Sequence, residues 1–353
     1  MTEQIRVRLR ALGATIGRYQ PGPLNAITDV TGVRIGHLTC FEGDRTRTGV
    51  TAIVPHAGNL FQDKVPAALS VFNGFGKFAG STQIIELGEI ETPVLLTNTL
   101  AVGRGIDAIN RYTLAQPGNE RVVSVNAVVG ETNDSRLNDI GAQRPTVDEM
   151  LAALENAQSG PVDEGAVGAG TGTVAFGMKG GIGTSSRSVP VAGRTYMLGV
   201  LVQTNYGGTL TIDGHLYQPD NDTTNRHDKD GSIVMIVATD APLCSRNLRR
   251  LAERCFGGLA RTGAALSNGS GDYALAFSTA EDVRRTPERR KAIADFPVLS
   301  NDAVSPLFEA VIEATEEAII NSLTMATTTQ GYNAGTGRPA TIEAISLDAV
   351  KRR

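Results

Sequence analysis

The chain contains no tryptophan and only three cysteines, Cys40, Cys244 and Cys255, too far apart for a disulfide framework or a zinc-ligand spacing. No basic stretch is long enough to suggest nucleic acid, and the formal net charge is −4. No apolar run approaches the length of a membrane span, and the opening MTEQIRVRLRALG lacks the apolar centre of a signal peptide. These absences lead us to expect a soluble, cytoplasmic protein that partners neither nucleic acid nor membrane. Histidine chemistry also lacks support. The four histidines, His37, His56, His215 and His227, form no HExxH pattern, and no GxSxG elbow sets a serine between strand and helix. The acidic stretch NDTTNRHDKD lacks the spacing of a calcium loop. No metal and no other cofactor is expected.

What is present is an ordinary globular composition, 41% hydrophobic and 20% charged over 353 residues, enough for one large α/β domain or two smaller ones. Its 40 glycines, in no visible repeat, suggest tight turns and close backbone approaches. Short apolar runs at 50–55, 67–74, 93–99, 121–132 and 195–205 read as strands. Residues 100–114 read as a helix, and so do 146–158, with Thr146 as N-cap and Glu149 closing a capping box. Further on, Thr239-Asp240 is expected to cap a helix with Pro242 in its first turn, ending at Gly257-Gly258 or Gly263. Residues 273–279 read as a strand. Ser305-Pro306 opens a long helix whose apolar stripe includes Leu307, Val311, Ile312 and Leu323.

The most informative feature is the join at Gly231-Ser232. Residues 211–231 are too polar and too rich in turn formers to bury much. SIVMIVATD follows without transition, and 233–238 are continuously apolar, like a strand buried on both faces. A serine after a glycine at that point suits a chain that cuts itself. The hydroxyl attacks the preceding carbonyl, and hydrolysis of the resulting ester leaves Ser232 with a free α-amine. Such an amine has an ordinary pKa of roughly 7.7 to 8.0, so it can serve as base for its own hydroxyl at neutral pH. Taken alone, the join has a plainer and preferred reading: a strand that starts after an exposed loop.

The order of elements adds a constraint. A strand, a helix and a second strand form a crossover unit whose strands run parallel. Parallel strands begin at the same end of a sheet, so Ser232, Ser270 and Asp272 are expected on one edge. Asn205 ends the run LGVLVQT, placed either to donate its amide to a developing oxyanion or to serve a turn. Glu131 ends VVSVNAVVG, where a carboxylate can bind a substrate ammonium, cap a helix or form a surface ion pair. The tract GAVGAGTGTVAFGMKGGIGTSSR is not a Walker loop, because Gly180 rather than Ser or Thr follows Lys179. It reads as a tight backbone crossing near the site.

Ten segments together change the weight of these readings. LNAITDVTGVRIGH, RTGVTAIVP, TNTLAVG, EGAVGAGTG, KGGIGTSSR, VLVQTNYG, GSIVMIVATDAPL, LARTG, NGSGDYALAFSTA and SPLFEAVIEATEEAIINSL span nearly the whole chain in order. In them the chain resembles the self-processing aminopeptidases that include L-aminopeptidase/D-amidase-esterases and β-peptidyl aminopeptidases. The resemblance implies an αββα sandwich, shared in outline with the ornithine acetyltransferases of arginine biosynthesis. It also implies cleavage at Gly231-Ser232 into fragments 1–231 and 232–353 of a single α/β catalytic domain, and a homotetramer.

By the same resemblance Ser232 is the nucleophile and Ser270 and Asp272 assist it. Asn205 supplies the oxyanion amide, and Glu131 holds the substrate's free amine. Two positions depart from the pattern. Asn133 stands where a family tyrosine helps the oxyanion, and some relatives carry glutamate in place of Asp272. The expected substrate is a small peptide or amino-acid amide or ester with a free amine, its acyl part an L-, D- or β-amino acid. Transfer of the acyl group to an amine, as in the acyltransferases of similar fold, is the alternative chemistry; a non-catalytic relative is the alternative class.

Overall fold

The computed structural model describes residues 5–218 and 231–351. The expectations for 219–230, His227 among them, lie outside the described residues. In chain order the strands of its two large sheets are β1 (Arg34–Glu42), β2 (Thr46–Val54), β3 (Val65–Gly74), β4 (Phe78–Ala79), β5 (Glu89–Ile90), β6 (Val94–Asn98), β7 (Val128–Thr132), β8 (Ile182–Val191), β9 (Arg194–Asn205), β10 (Ser232–Thr239) and β11 (Gly271–Ser278). The helices that cover them are α1 (Val102–Leu114), α2 (Val147–Glu155), α3 (Ser245–Arg261) and α4 (Ser305–Thr324). One sheet has the order β1-β2-β6-β7-β4, the other β8-β9-β10-β11-β3-β5. Among the described residues, each large sheet has a single parallel neighbouring pair, β6 with β7 and β10 with β11. Each of these pairs is joined through a helix, α1 or α3.

Strand periodicity sets the layers, because successive side chains point to opposite faces. On β10, Ile233, Met235 and Val237 pack among Leu248, Leu251 and Cys255 of α3 and Val311 and Ile319 of α4. The intervening Val234, Ile236 and Ala238 pack among Val94, Leu96 and Val128 of the other sheet. That sheet's outer face, with Val50, Ala52, Leu95 and Val129, packs on Ile109 of α1 and Met150 and Leu154 of α2. The result is the expected αββα sandwich. Full burial of one such aliphatic side chain is worth roughly 1.5 to 3 kcal/mol, so a strand like β10, buried along its whole length, anchors both interfaces.

Local expectations fare unevenly. The capping box of α2 is present: Glu149 N–H donates to Thr146 Oγ1 (3.3 Å) and Thr146 N–H to Glu149 Oε2 (2.7 Å). The expected strand over 121–132 shrinks to β7, and Val123 is 98% exposed. Asn126 leaves the ladder because Glu91 Oε1 accepts both its backbone N–H and its side-chain amide. Thr239-Asp240 does not cap α3, which starts at Ser245. Thr239 Oγ1 donates to Met197 O and Asp240 Oδ1 accepts Met197 N–H, so both side chains tie β10 back to β9.

Nor does α3 stop at Gly257-Gly258; it runs to Arg261 and ends just before the alternative stop, Gly263, whose φ is +83°. A Cβ on Gly258 would lie 2.6 Å from Ile312 O of α4, so this glycine lets two helices touch. Helix α4 is buried on nearly all sides rather than along one stripe. Its Glu313 and Glu317 pair with Arg187, which is itself fully buried, as buried charges require.

Candidate active site

A cleft of about 730 Å³ opens where one end of each sheet meets the other. On its floor Ser232, the first residue of β10, sits opposite Asn205, the last residue of β9, in antiparallel register. Gly271 faces Ser232 from β11 in the parallel ladder. The Gly271 N–H is shared, reaching Gly231 O at 3.0 Å and Ser232 Oγ at 3.3 Å. One donor therefore holds both the hydroxyl and the carbonyl oxygen that precedes it. Position 231 has no room for a side chain: a Cβ there would lie 2.1 Å from Asn205 O and 2.5 Å from Tyr206 Cα.

Asn205 is oriented without ambiguity. Its Oδ1 accepts the Val174 N–H at 3.0 Å, which fixes the amide and leaves the Nδ2 hydrogens for the cleft that Asn205 lines. Ser270 and Asp272 are brought to the same edge but do not line the cleft, whose wall there is Asn268 and Gly269. Ser270 Oγ donates to Asp272 Oδ1 at 2.5 Å, while Asp272 Oδ2 is buried with no hydrogen-bond partner among the described residues. Burial pushes the Asp272 carboxyl up to about 6, against the pull of the Ser270 hydroxyl.

The opposite wall comes from the other sheet. Glu131, near the end of β7, is buried and lines the cleft; its Oε1 accepts the Lys77 backbone N–H at 2.9 Å, with Lys77 Nζ at 3.4 Å. Asn133, two residues on, is exposed at the cleft, and its Oδ1 takes the Ser135 N–H at 3.0 Å. Among the described residues, no group of three or more His, Cys, Asp or Glu is placed to hold a metal ion, and no helix is long and apolar enough to cross a membrane.

Comparison with known proteins gives this geometry a family. Residues 25–336 match peptidase family S58. The chain belongs to peptidase family S58. It is 38% identical to the β-peptidyl aminopeptidase BapA of Sphingosinicella xenopeptidilytica, over 92% of this chain and 87% of that one. The L-aminopeptidase D-Ala-esterase/amidase of Ochrobactrum anthropi, described as a variant of the Ntn-hydrolase fold, superposes with a TM-score of 0.89 at 35% identity, covering 98% of both chains. The PH0078 protein of Pyrococcus horikoshii OT3 superposes at 0.90 with 42% identity, again over 98% of each chain. As an S58 member the protein is a hydrolase of peptide or amide bonds.

The S58 site also contains residues that sequence reasoning passed over. Gln203 stands two positions before Asn205 on the same face of β9, and its Nε2 donates to Thr97 O, Thr132 Oγ1 and Ala169 O. It ties the two sheets together beneath the cleft. Lys77 Nζ also donates to Thr99 Oγ1 at 2.6 Å, which holds that wall against Glu131. The one local signal for this wall is NGFGK: a Cβ on Gly76 would sit 3.0 Å from Glu131 Oε1 and 2.9 Å from Tyr273 OH, so glycine permits the approach.

Proposed function

We propose that the protein is made as one catalytic domain, cuts itself between Gly231 and Ser232, and then works as an N-terminal-serine aminopeptidase. The observation that carries this reading is the shared Gly271 N–H, which polarises the Gly231 carbonyl while keeping Ser232 Oγ beside it. In the self-cleavage step Oγ bonds to the Gly231 carbonyl carbon, the C–N bond breaks, and the amine takes the hydroxyl proton. Water then hydrolyses the ester, leaving a Gly231 carboxylate and a free α-amine on Ser232.

In turnover, Ser232 Oγ attacks the carbonyl that follows the substrate's N-terminal residue. The α-amine accepts the proton and returns it to the leaving amine as the C–N bond breaks. Water, deprotonated by the α-amine, then hydrolyses the acyl ester and frees Ser232 Oγ. Asn205 Nδ2 donates to the oxyanion. Asp272 Oδ2, without a partner among the described residues, takes a hydrogen bond from the new ammonium, and Ser270 holds the other carboxylate oxygen. Glu131 binds the substrate ammonium. Asn133, its Oδ1 held by Ser135, presents Nδ2 to the substrate side.

The names of the relatives suggest short peptides, amides or esters of L-, D- or β-amino acids as substrates. The reading extends to a cytoplasmic homotetramer, which native mass spectrometry and fractionation check. Denaturing mass spectrometry of freshly purified protein tests the central claim. Two fragments are expected, the smaller beginning at Ser232; a single 37.1 kDa chain that hydrolyses such substrates overturns the mechanism.

A further inference from the structure

The glycine-rich tract leaves one residue unexplained. Lys179 is fully buried, yet no carboxylate among the described residues bonds it. Its Nζ donates to three backbone carbonyls, Gly170 O at 2.8 Å, Thr173 O at 2.9 Å and Gly180 O at 2.7 Å. Three acceptors use all three hydrogens of an ammonium, whereas a neutral amine has only two. Burial pushes Lys179 down to about 7, and the charge of Asp134 pulls it back; the three carbonyls match the three hydrogens of the charged form.

The middle contact matters most. The Thr173 carbonyl and the Val174 N–H belong to one peptide unit, which is planar and rigid. At one end of that unit sit the Lys179 ammonium and the Gly180 N–H, 3.1 Å from Thr173 O. At the other, the Val174 N–H donates to Asn205 Oδ1. Asn205 is itself an amide, with Nδ2 left for the cleft. Two amides therefore stand in series between a buried cation and the oxyanion position, and hydrogen-bonded amides in series polarise one another in the same sense.

We infer that Lys179 is a positioning residue for Asn205, fixing and polarising its amide through the Thr173–Val174 peptide. This rests on the reading of Asn205 as the oxyanion donor. It explains how the site strengthens that donor while keeping the lysine's own charge out of the cleft, and why Lys179 sits behind the site when no phosphate motif surrounds it.

The test uses a p-nitroanilide that the wild type turns over, with rates scaled to the fraction of chains that begin at Ser232. Asn205→Ala should lower kcat by about 10² to 10³. Lys179→Met should lower kcat by about tenfold with KM within twofold, and the double variant should lose no more than Asn205→Ala alone. Should Lys179→Met not fold, Val174→Pro removes the N–H that reaches Asn205 while keeping the lysine, with the same expectations. A loss confined to KM, a loss that multiplies with that of Asn205→Ala, or an unchanged kcat in the variant that folds overturns the relay. An unchanged kcat in Asn205→Ala instead removes the oxyanion reading beneath it.

Discussion

The two parallel crossover units, β6–α1–β7 and β10–α3–β11, have the same topology but meet the cleft with opposite ends. From the first, the cleft takes the C-terminal strand ends, with Thr99 just after β6 and Glu131 in β7. From the second it takes the N-terminal ends, with Ser232 opening β10 and Gly271 opening β11. Parallel strands finish together as well as start together, so each unit delivers two residues to one edge. Stacked face to face, the two sheets set Glu131 and Ser232 on the walls of one cleft. The carboxylates of the two units differ in kind. Glu131 is held by Lys77, whereas Asp272 keeps one buried oxygen without a partner among the described residues.

That difference divides the expected effects. On the proposed mechanism Ser232→Ala removes the nucleophile for both reactions, so the chain should stay whole and hydrolysis should fall by on the order of 10⁶. A cut and active Ser232→Ala protein sinks the mechanism. On the proposed roles, Glu131→Gln weakens the hold on the substrate's amine while keeping an oxygen for the Lys77 N–H. Charge-assisted hydrogen bonds are worth roughly 1.5 to 3 kcal/mol, so kcat/KM for substrates with a free amine should fall by about 10- to 100-fold, with self-cleavage intact by mass spectrometry. If Glu131→Gln blocks self-cleavage as well, the two units do not divide the work in this way.

The half-satisfied Asp272 carboxylate gives a smaller effect with a definite sign. Asp272 has its folded pKa raised from 3.8 to about 6. Folding therefore favours its protonated form. The associated stability is present below 3.8 and is lost as the pH rises through 6, above which an ionised Asp272 is a burden. Thermal melts in the uncut Ser232→Ala background isolate this, because no α-ammonium is there to pair with it. Asp272→Asn should raise Tm by about 2 °C at pH 8, and the gain should vanish toward pH 4. A gain that is flat with pH points to packing, not charge.

The edge shared by Ser232 and Ser270 was legible because the crossover rule needs only the order of elements and no contact distances. The fold class was legible for the same reason, and the ten-segment resemblance supplied the layer order. What stayed hidden depends on partners distant in sequence. Thr239 and Asp240 look like a helix cap until Met197 claims them, and Asn126 looks like strand until Glu91 does. The direction of the Asn205 amide depends on Val174, 31 residues away. Lys179 could be excluded from phosphate binding by its neighbours, but its three carbonyls exist only once the tract has folded.

The last comparison lies in the helices themselves, where each crossover carries a glycine for a different reason. In α1, a Cβ on Gly105 would lie 3.0 Å from Val129 Cγ1, against a side chain that can yield by a few tenths of an ångström. In α3, a Cβ on Gly258 would lie 2.6 Å from Ile312 O and 2.7 Å from Thr315 Cβ, against helix α4 itself. Alanine gains roughly 1 kcal/mol of helix propensity over glycine at either site, and forced overpacking costs about 1 to 3 kcal/mol. Gly105→Ala should therefore leave stability within about 1 kcal/mol of the parent, while Gly258→Ala should lower it, with both read by chemical denaturation. Equal effects would mean that α3 and α4 can part as easily as a valine can turn. The second crossover would then owe its fixed geometry to β10 and β11 alone, and not to the helix clamped behind them.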